Sequence, residues 1–337
     1  MTSAATSLLF LLLVALPTFA QAGTWARQKS GSMAWLHAVF FLDQNRGWVV
    51  GSKGSLLQTR DGGDTWTART GVTDDVVRDI FFIDDQNGWL VCEVNVYQLK
   101  TKEEPRAYLM KTTDGGEHWK RIEIKGFDVD SVLVRAVFSS KSRGWTFGDA
   151  GQIYTTHNAG DTWEALRSPT RHLLLGGIFV DDDRGWLVGA GATIIQTSDG
   201  GDTWYQSTLP QVEKTLRFTA TSFADNRRGW AVGSGGSVFS TVNGGRTWQQ
   251  QKSTVDVDLF DVKFVNELEG WAVGAEGTII QTSDGGAHWT TQRSGTPHPL
   301  ERVFFSDRNH GWAVGFGGTV VSFLRGEASA TRQRRSQ

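Results

Sequence analysis

The chain has 337 residues, 40 of them glycine and 11% aromatic, with a formal charge of −2 at neutral pH. Such a composition suits one soluble all-β domain rather than two, and a slightly acidic chain of this kind makes a poor nucleic-acid binder. The lone cysteine, Cys92, excludes an intramolecular disulfide and a cysteine-based zinc cluster, and is expected to be buried and inert.

Met1–Ala22 reads as a secretory signal peptide. Leu8–Leu16 forms its apolar core and Ala20-Gln21-Ala22 fits the cleavage rule, although no Lys or Arg precedes them. The apolar run is too short to span a bilayer, and no later run rivals it. A mature protein starting near Gly23 is expected. No lipid-attachment cysteine follows the signal, so we expect a soluble protein exported to the periplasm.

From Gly23 onward tryptophan sets the rhythm. Seven Trp follow a glycine: Trp48, Trp89, Trp145, Trp186, Trp230, Trp271 and Trp312. Seven others end a Thr-Trp or His-Trp pair: Trp25, Trp66, Trp119, Trp163, Trp204, Trp248 and Trp289. Only Trp35 stands outside both series. The Gly-Trp steps are 41, 56, 41, 44, 41 and 41 residues, and a phenylalanine lies seven residues before each Gly-Trp tryptophan, from Phe41 to Phe305. Within the first unit, alternating faces and Gly/Asp turns predict strands over His37–Leu42, Gly47–Gly51, Ser55–Thr59 and Thr65–Arg69. Four short strands per repeat of this length describe a propeller blade.

The turn before the fourth strand has its own signature. Thr59-Arg-Asp61-Gly-Gly63-Asp-Thr65-Trp66 recurs at Thr112–Trp119, Thr156–Trp163, Thr197–Trp204, Thr241–Trp248 and Thr282–Trp289, and resembles the Asp-box, or bacterial neuraminidase repeat. Asp or Asn closes such a turn on its own backbone, Gly supplies positive φ, and Trp buries against a neighbouring blade. One aspartate per turn lacks the oxygen count that calcium requires, so the boxes are read as structural.

The two ends of the chain explain the absent seventh box. The last unit stops after Thr319–Phe323, whereas Thr24-Trp25 precedes any inner strand yet keeps the 23-residue step to Trp48. The N-terminal strand should therefore supply the outer strand of the last blade. The fold expected is all-β: a seven-bladed propeller over residues 23–326 with four-stranded blades closed by the N-terminal strand. Residues 327–337, with Arg332, Arg334 and Arg335, are expected to be a disordered basic tail.

Catalytic chemistry is sparse. The tyrosines number four, and the Phe/Tyr-Arg-Ile-Pro motif of hydrolytic sialidases is missing. Glycosidases need paired carboxylates, and Asp79, Asp261 and Glu301 on inner strands are the candidates; we read them as solvated charge at strand ends or the channel rim. Basic residues are more suggestive. Arg78, Arg135, Arg217 and Arg302 lie at or just before inner strands, where blades converge on the axis, with Arg171, Lys214 and His298 nearby. The enlargement of the second unit, Glu93–Arg106, belongs to the same face. Arg46, Arg143, Arg184 and Arg228 precede Gly-Trp on the opposite face and read as solvated.

Repeats of the form Gly-Trp-Ala-Val-Gly-x-x-Gly-Thr-Ile-Ile-x-Thr-x-Asp-Gly-Gly-x-x-Trp, clearest at Gly270–Trp289, resemble those of the photosystem II stability/assembly factor family of seven-bladed Asp-box propellers. The resemblance spans Gly23–Arg325. It implies a non-enzymatic assembly factor of the thylakoid lumen or periplasm, binding a membrane-protein subunit or its exported segment through an arginine patch on one face. Only Arg78, Arg135, Arg217 and Arg302 qualify for that patch, which would form an electropositive rim. No cofactor, metal or nucleic-acid partner is expected, and the protein is read as a monomer open to peripheral association with a membrane. The competing reading is a glycoside hydrolase or carbohydrate-binding propeller, since Asp-boxes occur in those enzymes as well.

Overall fold

The computed structural model describes residues 23–325 apart from Lys100 and Lys102, so the expected signal peptide and basic tail lie outside the described residues. Seven four-stranded antiparallel sheets form the ring expected from the repeats. Blade 1 runs through Leu36–Phe41, Gly47–Gly51, Leu56–Thr59 and Thr67–Ala68. Blades 2 to 6 follow in order, with inner strands at Val76–Phe82, Leu133–Phe138, Leu174–Phe179, Phe218–Phe223 and Leu259–Phe264. Blade 7 uses Leu300–Phe305, His310–Gly315 and Thr319–Leu324, and its outer strand is Thr24–Gln28. Trp25 pairs with Phe323 and Gln28 with Val320, so the two chain ends close the ring in one sheet. Outer strands are shorter than expected: Thr65–Arg69 shrinks to Thr67–Ala68 because Thr65 belongs to the box turn. Short outer edges also leave little unpaired backbone for another chain to add to.

One aromatic arrangement repeats around the whole ring. The Gly-Trp tryptophan of each blade stacks face to face on the phenylalanine of the next, with centroids 3.5–4.2 Å apart. The Asp-box tryptophan, or Trp25 in blade 7, meets its own blade's phenylalanine edge-on at 5.9–6.1 Å. Each phenylalanine is thus held between two indoles across a blade junction. The glycine before Trp is required by the same contact. A Cβ on Gly47 would lie 2.5 Å from the Phe41 ring, and the other six Gly-Trp glycines meet their phenylalanine at 2.4–2.6 Å. The fixed spacing from Phe to Gly-Trp is therefore the signature of one packed pair, since Phe41 and Gly47 are register partners.

The boxes close as expected. Thr59 Oγ1 donates to Asp61 Oδ1 at 2.8 Å and accepts from Gly63 N–H, while Asp61 accepts from the N–H and hydroxyl of Thr65. His118 and His288 take the place of that threonine in their boxes. Box carbonyls also link blades: Trp145, Trp186, Trp230 and Trp312 donate their indole N–H to Gly200, Gly244, Gly285 and Gly62 at 2.8–2.9 Å. The indole nitrogens of Trp271, which faces the box-less blade 7, and of Trp89, which faces blade 3 and its box, have no partner among the described residues. Cys92 is buried, and burial raises its thiol to about 12. No helix among the described residues is long and apolar enough to cross a membrane.

Trp204 is buried against Phe179 at the junction of blades 3 and 4, within a cluster that includes Trp145 and Phe147. Trp204→Ala should cost about 3–5 kcal/mol in urea titration, as large aromatic truncations do; a cost under about 1 kcal/mol would contradict the junction packing. Deleting Gly23–Gln28 should lower the melting temperature of the entire ring in calorimetry, because it opens a sheet edge at the seam. An unchanged midpoint would show that closure contributes nothing to stability.

Candidate functional site

Every inner strand carries a register shift at the same place, four residues before its phenylalanine. The residues skipped are His37, Arg78, Val134, Leu175, Thr219, Phe260 and Glu301. A bulge leaves one residue out of the ladder and re-aims its side chain. Here all seven bulged residues line one recess of ≈ 240 Å³ at the mouth of the central channel, together with Arg135, Arg217 and Arg302. The four arginines singled out from the sequence therefore share one mouth, contributed by blades 2, 3, 5 and 7. They occupy three depths, which accounts for their unequal spacing from the following Gly-Trp. Arg217 sits at the strand entry, Arg78 in the bulge, and Arg135 and Arg302 one residue deeper.

Depth decides their roles. Arg135 reaches across the channel from blade 3 to Asp261 of blade 6 at 3.2 Å, and Arg302 reaches from blade 7 to Asp79 of blade 2 at 3.3 Å. Their side chains are only 13% and 12% exposed. Arg78 (39% exposed) donates Nε to Glu93 at 2.6 Å, and Arg217 (48%) lies 3.4 Å from Asp258. The expected electropositive rim is therefore corrected in one respect: each of the four arginines has a carboxylate partner that offsets its charge. Arg78 and Arg217 keep exposed guanidinium donors, whereas Arg135 and Arg302 are parts of an internal lock.

The reading of Asp79 and Asp261 as solvated rim charge is also corrected. Both are buried, because side chains at their register point between inner strands at the N–H groups of the next blade. Asp79 Oδ2 accepts from Ala136 N–H at 3.1 Å and Asp261 Oδ2 from Val303 N–H at 3.0 Å. Burial pushes the Asp79 carboxyl up to about 7, opposed by the Arg135 charge and by backbone N–H donors. Burial raises Asp261 too, against the same arginine. Lys263 lines the channel below, its pKa lowered by burial and partly restored by Asp261. Where blade 4 has Gly176 at this register, a Cβ would lie 2.7 Å from the Ala220 backbone, so blades 4 and 5 meet with no side chain between them.

At the mouth itself, Glu301 is raised by burial and accepts from Trp35 Nε1 at 3.0 Å. Burial, reinforced by Arg78, lowers His37 to about 4, leaving its ring neutral near pH 7. Arg171 and Lys214 are exposed in adjoining loops. On the opposite face, Arg46, Arg184 and Arg228 are more than solvated charge: each grips the aspartate three residues earlier and so braces its turn. Arg143 instead donates to the Gly200 carbonyl and lies over the Trp145 ring. Among the described residues no group of three or more His, Cys, Asp or Glu side chains could hold a metal ion. The sequence reading missed the ring of bulges and the partners of the arginines. Both follow from register, which a one-residue slip would invert, and, for Arg135 and Arg302, from contacts between residues 126 and 223 positions apart.

The family described as "Photosynthesis system II assembly factor YCF48" matches residues 18–166, 161–254 and 250–325. The chain belongs to this family. It is 31% identical over 129 residues to the photosystem II stability/assembly factor HCF136, chloroplastic, of Arabidopsis thaliana, a stretch covering 36% of this chain and 28% of that relative. The solved structure of "YCF48 bound to D1 peptide" superposes with a TM-score of 0.73 at 21% identity, covering 94% of this chain and 99% of that one. A GH74 xyloglucanase from Xanthomonas campestris superposes at 0.70 with 13% identity, covering 93% of this chain and 55% of the enzyme. At such identities the likeness is one of fold.

Breaking the Arg135–Asp261 pair from the arginine side leaves a buried carboxylate uncompensated, so Arg135→Ala should cost about 3–5 kcal/mol near neutral pH. Arg135→Ala with Asp261→Ala should cost less than Arg135→Ala alone. A carboxyl whose pKa is higher folded than unfolded binds more protons when folded, so its contribution to stability falls as pH rises through that window. Relative to wild type, Arg135→Ala should therefore lose stability progressively as pH rises above the ordinary carboxylate range in urea titrations. A pH-independent difference would show that Asp261 does not depend on this arginine.

Proposed function

We propose that the protein is an exported, non-enzymatic scaffold that holds an exported segment of a membrane-protein subunit at the channel mouth. In a photosynthetic host the client would be a photosystem II subunit. The observation that carries the reading is the convergence of Arg78, Arg135, Arg217 and Arg302 on one recess, two of them with exposed guanidinium donors. Family membership supports it, as does the D1 peptide bound to the superposable YCF48. The secretory signal read in Met1–Ala22 supports export, and a periplasmic or lumenal location follows from it.

The geometry of the carboxylates supports the absence of hydrolytic chemistry. A glycosidase needs one carboxyl to move a proton and another to attack or activate water. Asp79 and Asp261 have oxygens committed to backbone N–H groups of neighbouring blades and to arginines, and Glu301 accepts from Trp35. Such a set fastens blades together rather than handling substrate.

Arg78→Glu combined with Arg217→Glu should leave the fold intact, because half-exposed ion pairs contribute little to stability. Affinity capture of membrane proteins from solubilised membranes of the native host should fall sharply with this variant, and wild-type capture should weaken as salt rises. Recovery of the same proteins by wild type and variant would defeat the proposal. Hydrolysis of a xyloglucan or other glycan by the purified protein, lost on mutating Glu301, would transfer the case to an enzyme.

A further inference from the structure

Trp35 is the one tryptophan outside both repeat series, and it is 42% exposed. It stands immediately before the inner strand of blade 1, at the register Arg217 holds in blade 5. Phe316 of blade 7, 45% exposed, meets it edge-on with centroids 5.5 Å apart and planes at 80°. Phe316 opens the tight turn between the second and third strands of its blade, where blades 1, 3, 5 and 6 have Ser52, Asp149, Ser234 and Ala275. His37 also packs on Trp35 at 5.5 Å, His298 packs on Phe316 at 5.6 Å, and Met33, two residues earlier in the same loop, is exposed.

Neither ring is needed for the fold, whose seven aromatic sandwiches are complete without them. Both are nevertheless held still. The hydrogen bond from Trp35 to Glu301 fixes one edge of the indole, and Phe316 and His37 both pack against it. Rigid aromatic groups that remain exposed lose little entropy on contact and serve as anchors in interfaces. The notch also adjoins the arginines: His37 and Glu301 both feel the Arg78 charge and line the same recess.

We propose that the Trp35–Phe316 notch is a subsite for one aliphatic or aromatic side chain of an extended peptide, whose nearby carboxylate is read by Arg78. The proposal rests on the mouth being the client site and adds the chemistry of what it accepts. Two features favour a peptide over a sugar. Rings crossing near a right angle make a corner that a compact side chain fills, rather than one flat platform. The adjacent polar group is the Arg78 guanidinium, which holds Glu93 through Nε, and a guanidinium suits a carboxylate.

The test is selection from a phage-displayed library of linear peptides on immobilised full-length mature protein. It is followed by titration of one selected synthetic peptide and its counterpart with the apolar residue changed to Ala. Wild type should select an Asp or Glu at fixed spacing from a large apolar residue, and should prefer the parent peptide by roughly tenfold. Trp35→Ala and, separately, Phe316→Ala should lose that preference while keeping the salt-sensitive affinity for the Ala counterpart; both replace exposed rings, so urea midpoints should stay near wild type. Arg78→Glu should weaken both peptides alike. A wild-type selection of acidic residues without an apolar partner, or a preference that survives Trp35→Ala and Phe316→Ala, would overturn the subsite and leave the client-binding reading standing. Failure to select acidic peptides at all would overturn both. Binding of xylo- or gluco-oligosaccharides, lost in Trp35→Ala, would overturn the peptide subsite in favour of a carbohydrate platform.

Discussion

Each blade junction is built on a phenylalanine gripped by two indoles, one stacked from the preceding blade and one edge-on from its own. Face stacking and edge contact use the two complementary electrostatic sides of the ring, and each such pair adds about 0.5–1.5 kcal/mol to the apolar burial. The glycine beside Trp exists because the phenylalanine ring lies over its backbone. Blade tilt and spacing are thereby set by one contact repeated seven times. Closure follows from the same rule, since Trp25 occupies the edge-on position against Phe305 that no box is present to supply. The ring joins its ends through that aromatic site as much as through the strand hydrogen bonds beside it.

With the junctions fixed, the inner strands are held close enough for their side chains to answer one another. Bulges at a common register turn seven side chains into the mouth. One residue deeper, Gly176 lets blades 4 and 5 touch, while Asp79 and Asp261 fasten to the next blade's backbone. Two carboxylates buried there need cations, and Arg135 and Arg302 supply them from across the channel. Below them Phe40 contacts both Phe81 and Phe304 at 5.2 and 5.3 Å, so the channel wall changes from charge on one level to aromatic packing on the next along blades 7, 1 and 2.

The fold was legible because the residues that build junctions and turns recur with the repeat. Trp48, Gly47 and Phe41 announce a blade by spacing alone, and Thr59, Asp61 and Gly63 announce its last turn. The site was only partly legible. Arg78, Arg135, Arg217 and Arg302 could be placed near strand entries, but one residue of depth separates an exposed arginine such as Arg78 from a locked one such as Arg302. Depth depends on a bulge, and a bulge has no residue signature here: His, Arg, Val, Leu, Thr, Phe and Glu all occupy it. The partners that balance Arg135 and Arg302 come from distant blades, invisible to any local pattern. Trp35 was visible from the start as the tryptophan without a series, but its meaning required knowing that Phe316 and Glu301 stand beside it.

That contrast says where function can reside in a repeat protein. Positions that recur in every blade are committed to making blades, and a ligand bound through them would have seven equivalent places to sit. Recognition of one client in one orientation must use positions where the blades differ. In this ring those positions are concentrated on the mouth face: the bulged residues, the strand entries with Trp35 and Arg217, and the turn that carries Phe316. The sector spanning blades 7, 1 and 2 brings together an indole, a carboxylate, a neutral imidazole and a guanidinium from segments as distant as Trp35 and Glu301. The regular ring holds that irregular sector rigid, and the irregularity gives the ring a front.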